Sequence, residues 1–275
     1  MKELGLSERQ LAARFLHRDC PSAPFARLFC FPFAGGSAAA FIPWAEELES
    51  AGIDVWSAQP RGRGMRLNEP LYRSVKEMAE DYLAAIRGHQ DLPFAFYGHS
   101  LGGLLAFELT LQLEGEGLVP PTHLFMGATA PPVLGLIHPP IAHLPDDGFM
   151  VAVRERYSGI PDAVLREPEL LELFLPGLKA DFAAHENFDR SPARQVHCPI
   201  TALAGSDDPM IDATKMREWG QHTTAEFDLR VIAGDHFFLS ASRDSVLSTV
   251  REKMLNTPPG VPAFLMRPGF AESSS

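Results

Sequence analysis

One short turn constrains the fold of this 275-residue chain more than any other feature. The sequence G-H-S-L-G at 98–102 directly follows an apolar run at 92–97 and precedes a stretch of helical periodicity at 101–114. A serine between a strand and a helix needs small neighbours, because its backbone is strained and the helix packs closely on the strand. Three glycines around Ser100 meet that requirement. The turn therefore predicts a strand, a sharp bend and a helix, with Ser100 at its tip as a candidate nucleophile.

Apolar runs typical of β-strands alternate with helical stretches along most of the chain. The predicted strands lie at 27–32, 54–58, 92–97, 122–126, 199–204 and 227–232. The main helical stretches lie at 40–50, 75–90, 101–114 and 242–255. Such alternation predicts parallel strands joined by crossover helices. Together with the serine turn, it predicts an α/β-hydrolase fold, a mostly parallel central sheet flanked by helices.

The segment at about 131–192 breaks this alternation. It is punctuated by proline and carries two further helical stretches, at 146–157 and 167–178. An insertion of this length is more than a crossover needs, so we interpret it as a helical lid over the mouth of the site. We expect a single α/β-hydrolase domain at 1–256 and a mobile tail, rich in proline and serine, at 257–275.

The apolar side chains of the predicted lid have two possible roles. They could line a substrate chamber, or they could pack the lid onto the core, which is the more common role for any one of them. The candidates are Phe149, Met150, Val153, Leu171 and Phe174.

Charge and composition exclude several classes of partner. The formal net charge of −11 argues against binding nucleic acid, because phosphate recognition needs a basic surface, and it disfavours an anionic membrane. No run approaches the ~20 apolar residues that cross a bilayer, and the N-terminus lacks the features of a secretory signal. We therefore expect a cytoplasmic protein, acting as a monomer. The cysteines lack metal-ligand spacing, so we predict no metal or cofactor, and Cys30 is expected in the core.

A serine nucleophile needs a base, and the base needs a carboxylate that orients it. In the predicted topology the chain order is Ser100, then the acid, then the histidine. Of the ten histidines, only His236 follows a late strand, in a G-D-H loop before the final helix, and we predict it as the base. The acid lies in G-S-D-D-P at 205–209, where Asp207 and Asp208 could both reach. We prefer Asp208, since Pro209 restrains its backbone.

The negative charge that develops on the substrate oxygen needs two fixed hydrogen-bond donors. One is the backbone N–H of Leu101, directly after the candidate nucleophile. The other comes from the loop F-P-F-A-G-G at 31–36, which follows the first predicted strand. Its position favours the Ala34 N–H as the second donor, with Phe33 as the alternative.

Several motifs make the chain resemble a known family. F-P-F-A-G-G-S at 31–37, P-R-G-R-G-M-R at 60–66 and G-H-S-L-G-G at 98–103 are similar to those of type II thioesterases. These are the stand-alone editing enzymes of polyketide and nonribosomal peptide synthesis. The resemblance covers roughly 24–255 and implies Asp208 rather than Asp207 as the acid. It further implies hydrolysis of acyl thioesters from the phosphopantetheine arm of acyl or peptidyl carrier proteins.

Three arginines of the second motif follow the end of a predicted strand, on the side where the site must lie. They are Arg61, which stands where the family usually has glycine, Arg63 and Arg66. One or more could contact the pantetheine phosphate or an acidic carrier surface. The alternative is a structural turn with solvated charges.

The chemistry of the predicted site is compatible with a thioester but does not demand one. A thiol leaving group, with a pKa of about 8–9, departs without much help from an acid. The alcohol of an oxygen ester depends more strongly on His236 as a proton donor. A carboxylesterase or an acyltransferase of the same fold is one alternative. A binding protein that keeps the fold without chemistry is another, and the intact set Ser100, Asp208 and His236 argues against it.

Overall fold

The computed structural model describes residues 7–17, 23–157 and 168–256, and within them seven strands form one sheet. The strands are β1 (Phe15–His17), β2 (Ala26–Phe31), β3 (Ile53–Ala58), β4 (Phe94–His99), β5 (Leu124–Gly127), β6 (Ile200–Gly205) and β7 (Phe227–Ile232). Their order across the sheet is β1-β3-β2-β4-β5-β6-β7. β1 pairs antiparallel with β3, and every other neighbouring pair is parallel. This arrangement confirms the mostly parallel sheet predicted for an α/β hydrolase.

Helices flank both faces of the sheet. In the described part of the chain they are α1 (Glu8–Arg14), α2 (Ile42–Glu49), α3 (Val75–Ile86), α4 (Leu101–Gly115), α5 (Asp146–Arg156), α6 (Pro168–Glu186), α7 (Ala213–Arg217), α8 (Phe238–Ala241) and α9 (Arg243–Asn256). Short 3-10 turns lie at Ala38–Phe41, Gly64–Arg66, Arg87–His89, Pro132–Leu134 and Glu218–His222. None of the described helices is both long enough and apolar enough to span a membrane.

The central strands are buried on both faces. Along β2, Phe29 and Phe31 point into a cluster shared with α3 and α4, while Leu28 and Cys30 point into a second cluster shared with α2 and α9. Full burial of successive residues is typical of parallel strands that are covered by helices on both sides. Burial also raises the pKa of the Cys30 thiol, which places this cysteine in the core as expected.

The register of the strands brings four loops to one edge of the sheet. Phe31 at the end of β2 lies opposite Gly98 of β4, and Gly205 at the end of β6 lies opposite Ile232 of β7. Because these strands are parallel, their carboxyl ends share one edge, where ligands of such sheets bind. The loops that carry Ala34, Ser100, Asp208 and His236 therefore meet there.

Two elements differ from the sequence prediction. α1 and the three-residue β1 precede the first predicted strand and were not predicted, since so short an antiparallel edge strand has little periodicity to detect. α6 was predicted to end at 178 but continues to Glu186, with Pro176 inside it. A proline inside a helix removes one hydrogen bond, yet Leu178 and Phe182 beyond it are buried, and this burial favours continuation.

The segment interpreted as a lid holds α5 and α6. Phe149, Met150 and Val153 of α5 pack against Leu175 and Phe182 of α6, in an apolar cluster separate from those of the sheet. The lid insertion at about 131–192 and the single domain at 1–256 stay predictions. The tail predicted at 257–275 lies outside the described residues.

Candidate active site

Ser100 lies at the tip of the turn between β4 and α4, as predicted. Its backbone has φ 54° and ψ −116°, a conformation that non-glycine residues rarely adopt. The surrounding glycines leave no room for a side chain. A Cβ on Gly102 would lie 2.1 Å from the carbonyl oxygen of Phe31, and one on Gly98 would lie 2.1 Å from the carbonyl oxygen of Gly102. Glycine at positions 98 and 102 therefore allows α4 to pack closely on β4 and β2 around the strained Ser100.

His236 and Asp208 contact each other at the same edge of the sheet. The His236 Nδ1 lies 2.8 Å from Asp208 Oδ2, and both residues are buried. The other carboxylate oxygen, Oδ1, accepts hydrogen bonds from the backbone N–H groups of Met210 and Ile211, at 2.8 and 3.1 Å. Burial on its own raises the pKa of Asp208, but the hydrogen bonds from His236 and the two N–H groups outweigh it, so the pKa lies below its ordinary value. Asp208 is thus a carboxylate at neutral pH, placed to orient the imidazole.

The geometry distinguishes between the two candidate acids. Asp207 is exposed and accepts a hydrogen bond from the neighbouring Ser206 hydroxyl at 2.8 Å. Its own N–H donates to the Gly234 carbonyl. Asp208 is therefore the carboxylate that the fold brings to His236.

A second histidine supports the loop that carries His236. His99 is buried beside the candidate nucleophile, and its Nε2 lies 2.7 Å from the carbonyl oxygen of His236. Its Nδ1 lies 3.0 Å from the hydroxyl of Tyr97. Burial and the nearby His236 lower the pKa of His99 to about 3, so the ring is neutral and can donate from Nε2 to that carbonyl. These contacts favour a structural role for His99.

The loop after β2 forms a tight turn beside Ser100. The Gly36 N–H donates to the Phe33 carbonyl at 2.8 Å, and Gly35 has φ 79°, the positive value that a type II turn requires at its third residue. The Gly35 N–H donates to Asp181 at 2.8 Å. Among the described residues, neither Ala34 nor Phe33 has a backbone N–H with a protein partner. Both predicted alternatives for the second oxyanion donor therefore stay open.

A cavity of about 430 Å³ opens onto the candidate nucleophile. Its wall includes Ser100, His236, Ala34 and Leu101, so the predicted nucleophile, base and backbone donors face one space. The segment interpreted as a lid contributes apolar side chains to the wall, from Val153, Tyr157, Phe174, Leu178 and Phe182. Phe33 and Phe237, in loops of the sheet edge, add further apolar surface.

The two predicted roles overlap among the five apolar residues that the sequence singles out in the segment interpreted as a lid. Val153 and Phe174 line the cavity. Phe149 and Met150 are buried in the lid cluster, and Leu171 packs against it. Val153 also belongs to the lid cluster and Phe174 packs against it, so both predicted roles apply to these two residues.

His185 of α6 also lines the cavity and was not singled out from the sequence. Burial and the nearby Arg190 lower its pKa to about 3, so the imidazole is neutral. The signal that could have found it is its spacing, since His185 follows Leu178 and Phe182 on the same face of the helix.

The comparisons with known proteins decide the family. The family model described as a thioesterase domain matches residues 26–254 of the chain. This protein belongs to the thioesterase family. The chain is 37% identical to "Thioesterase PikA5" of Streptomyces venezuelae over 235 residues, which are 84% of this chain and 82% of that protein.

Solved structures of thioesterases superpose on this one. RedJ, a thioesterase from the prodiginine biosynthetic pathway in Streptomyces coelicolor, matches with a TM-score of 0.76 and 34% identity, over 85% of this chain and 87% of that one. The type II thioesterase BorB from the borrelidin biosynthetic cluster matches with a TM-score of 0.72 and 32% identity, over 84% of this chain and 91% of that one. The α/β-hydrolase fold and the resemblance noted from the motifs are both confirmed.

The three arginines of the second motif all form ion pairs with carboxylates of the protein. Arg66 is fully buried, and its guanidinium contacts Glu69 at 2.6 Å and Asp81 at 2.7 Å. This burial favours the structural alternative for Arg66, and a carrier contact of the arginines stays a prediction. Arg61 pairs with Asp81 as well, and Arg63 pairs with Asp181, which favours the structural alternative for both, with buried ion pairs in place of solvated charges.

Replacing Arg66 by methionine tests this structural role. We expect Arg66→Met to lower the free energy of unfolding by about 3 kcal/mol, because it removes one partner from a buried ion pair while Arg14 and Arg61 still face Asp81. The kcat of the folded enzyme is expected to stay unchanged, since Arg66 does not line the cavity. Denaturant unfolding and steady-state assays measure the two quantities. A raised KM for a carrier-bound substrate at unchanged stability would favour the carrier-contact hypothesis.

Proposed function

We propose that this thioesterase hydrolyses acyl groups from the phosphopantetheine arm of acyl or peptidyl carrier proteins during polyketide or nonribosomal peptide synthesis. The observation that carries the proposal is that Ser100 and His236 line one largely apolar cavity, with Asp208 hydrogen-bonded to His236 behind it. Relatives from the prodiginine pathway and the borrelidin cluster support the substrate class. Such an enzyme would clear stalled or misprimed acyl groups from the assembly line.

In the first half of the proposed reaction, the Ser100 Oγ attacks the thioester carbonyl carbon while His236 Nε2 takes its proton. Asp208 accepts from Nδ1–H, which leaves Nε2 free to act as base and stabilises the imidazolium that forms. The N–H groups of Ala34 and Leu101 stabilise the oxyanion. The carbon–sulfur bond then breaks, and the pantetheine sulfur leaves as a thiol with the proton from His236.

The second half regenerates the enzyme. Water attacks the acyl-Ser100 ester and gives a proton to His236. The tetrahedral intermediate collapses, the ester bond to Ser100 breaks, and His236 returns the proton to the Ser100 oxygen. The products are the free carboxylic acid and the free carrier thiol, and neither step needs a cofactor or a metal.

Three further statements about the enzyme stay predictions from the sequence. They are its action as a monomer, its cytoplasmic location, and the absence of nucleic acid or membrane among its partners.

The proposed function is tested by a panel of acyl groups loaded on carrier proteins, with chain length and branching varied. We expect kcat/KM for the thioester to exceed that for a matched oxygen ester by at least about tenfold, equivalent to ~1.4 kcal/mol of transition-state stabilisation. The physical reason is the leaving group, since a thiol departs more readily than an alcohol of higher pKa.

The other results identify the alternative enzymes. Faster hydrolysis of the oxygen ester would make the protein a carboxylesterase. Accumulation of a new ester on an added alcohol, in place of free acid, would make it an acyltransferase.

A further inference from the structure

A buried carboxylate of the lid contacts the turn that holds the candidate oxyanion donor. Asp181 of α6 is 5% exposed, and its Oδ2 accepts from the Gly35 N–H at 2.8 Å. The same oxygen accepts from the guanidinium of Arg63, in the loop after β3. One carboxylate thus joins three parts of the chain that are far apart in sequence.

The lid helix also packs directly on this turn. A Cβ built on Gly35 would lie 2.8 Å from the Phe174 ring and 2.9 Å from a methyl group of Leu178, both on α6. Glycine at this position gives the turn its positive φ and also lets the helix approach. The position of α6 therefore depends on the conformation of the Phe33–Gly36 turn, and the reverse also holds.

The hydrogen bond to Asp181 acts on the middle of the turn. Residues Phe33 and Gly36 are joined across it by a backbone hydrogen bond, so the Gly35 N–H belongs to its central peptide. The central peptide of such a turn can face either way, depending on the turn type. Asp181 holds it in one orientation, and the Ala34 N–H lies one peptide earlier.

We propose that Asp181 is a positioning residue for thioester hydrolysis. It holds the Phe33–Gly36 turn in the conformation that points the Ala34 N–H at the developing oxyanion. Arg63 acts through Asp181 by compensating its buried charge. The enzyme is then fully active only while α6 is seated on the turn, because displacement of the lid removes the acceptor from the Gly35 N–H.

The test compares two variants at Asp181. Asp181→Ala removes the acceptor, and we expect kcat to fall about 10–100-fold while KM stays within about threefold, since misplaced oxyanion donors act on the transition state more than on bound substrate. Asp181→Asn keeps the shape and an acceptor oxygen but loses the charge, and we expect an intermediate loss of kcat of about 3–10-fold. If Asp181→Ala does not fold, Asp181→Asn still tests the proposal.

The decisive readout is the inhibition constant of an alkyl boronic acid. Such a compound forms a tetrahedral anionic adduct on the Ser100 Oγ, with one oxygen at the position of the oxyanion. We expect its inhibition constant to rise in proportion to the loss of kcat in both variants. If Asp181 merely stabilised the lid, its replacement would change the melting temperature, but the inhibition constant of the boronic acid would not rise in proportion to the loss of kcat.

Lys179→Ala is the matched control on the same helix. Lys179 contacts Asp146 and the Leu144 carbonyl and touches neither the turn nor the cavity wall. We expect its kcat and boronate inhibition to equal those of the wild type. An unchanged kcat in Asp181→Ala, or a lower kcat with unchanged boronate inhibition, would overturn the positioning role.

The inference rests on the proposed function, and Ser100→Ala separates the two in the same assay. Loss of turnover in Ser100→Ala together with full kcat in Asp181→Ala overturns the positioning role alone. Full turnover in Ser100→Ala overturns the proposed function itself.

Discussion

Replacing Ser100 by alanine is expected to lower kcat on a carrier-bound thioester by about 10⁶-fold, by analogy with other serine hydrolases. The variant removes the attacking oxygen but leaves the oxyanion donors and the cavity in place, so binding of the substrate is expected to persist. The strained backbone at φ 54° is accommodated equally by serine and alanine, so the fold is expected to be unaffected. Single-turnover assays and the melting temperature measure the two effects.

Ser245→Ala is the matched control, because Ser245 is an exposed serine at the start of α9 and is not part of the cavity wall. Its activity is expected to equal that of the wild type. A biological effect that survives Ser100→Ala would identify a protein that acts by binding, and would sink the enzymatic proposal.

Replacing Asp208 by asparagine is expected to lower kcat by about 10⁴-fold with little change in KM. An amide in place of the carboxylate can donate to Nδ1 of His236, which then moves its proton to Nε2. In that tautomer Nε2 no longer accepts the proton of Ser100. The two backbone N–H groups of Met210 and Ile211 can still donate to the amide oxygen, so the loop keeps its conformation.

Asp207→Asn provides a closely matched control one residue away. Asp207 is exposed and bonded to Ser206, so its kcat is expected to stay at the wild-type value. Loss of activity in Asp207→Asn with full activity in Asp208→Asn would reverse the assignment of the acid.

The loss of activity expected for Asp208→Asn also follows from the electrostatics of the site. The pKa of Asp208 lies below its ordinary value because the hydrogen bonds from His236 and two N–H groups outweigh the effect of burial. The carboxylate is therefore charged throughout the neutral range, and in the proposed reaction it stabilises the imidazolium that forms when Ser100 attacks. A neutral amide provides no such stabilisation.

Local chemistry explains why the catalytic centre was predictable from the sequence. A serine on a strained turn needs the glycines at 98, 102 and 103, and the positions of these glycines are visible in the sequence. The order Ser100, acid, His236 follows from the topology of a parallel sheet, which the alternation of strands and helices predicts. The fold and the family were accordingly accessible before the tertiary structure.

Contacts between distant segments explain what was not predictable. Residue spacing alone left Asp207 and Asp208 as alternatives, because the distance to His236 depends on how the loops after β6 and β7 meet. The arginines at 61, 63 and 66 looked alike in sequence, as cations near the end of a strand. Their partners include Asp81 and Asp181, the latter 118 positions from Arg63, and no local pattern reveals these two.

The sequence by itself determined the fold class and the candidate nucleophile of this protein, because turn chemistry and strand periodicity depend on neighbours within a few positions. Only the tertiary structure decided which carboxylate orients His236, which lid residues face the cavity, and that Asp181 contacts Gly35. These outcomes depend on the packing of helices and loops that are separated by tens to more than a hundred residues. Hydrogen bonds and ion pairs of that kind exist only once the whole sheet has assembled.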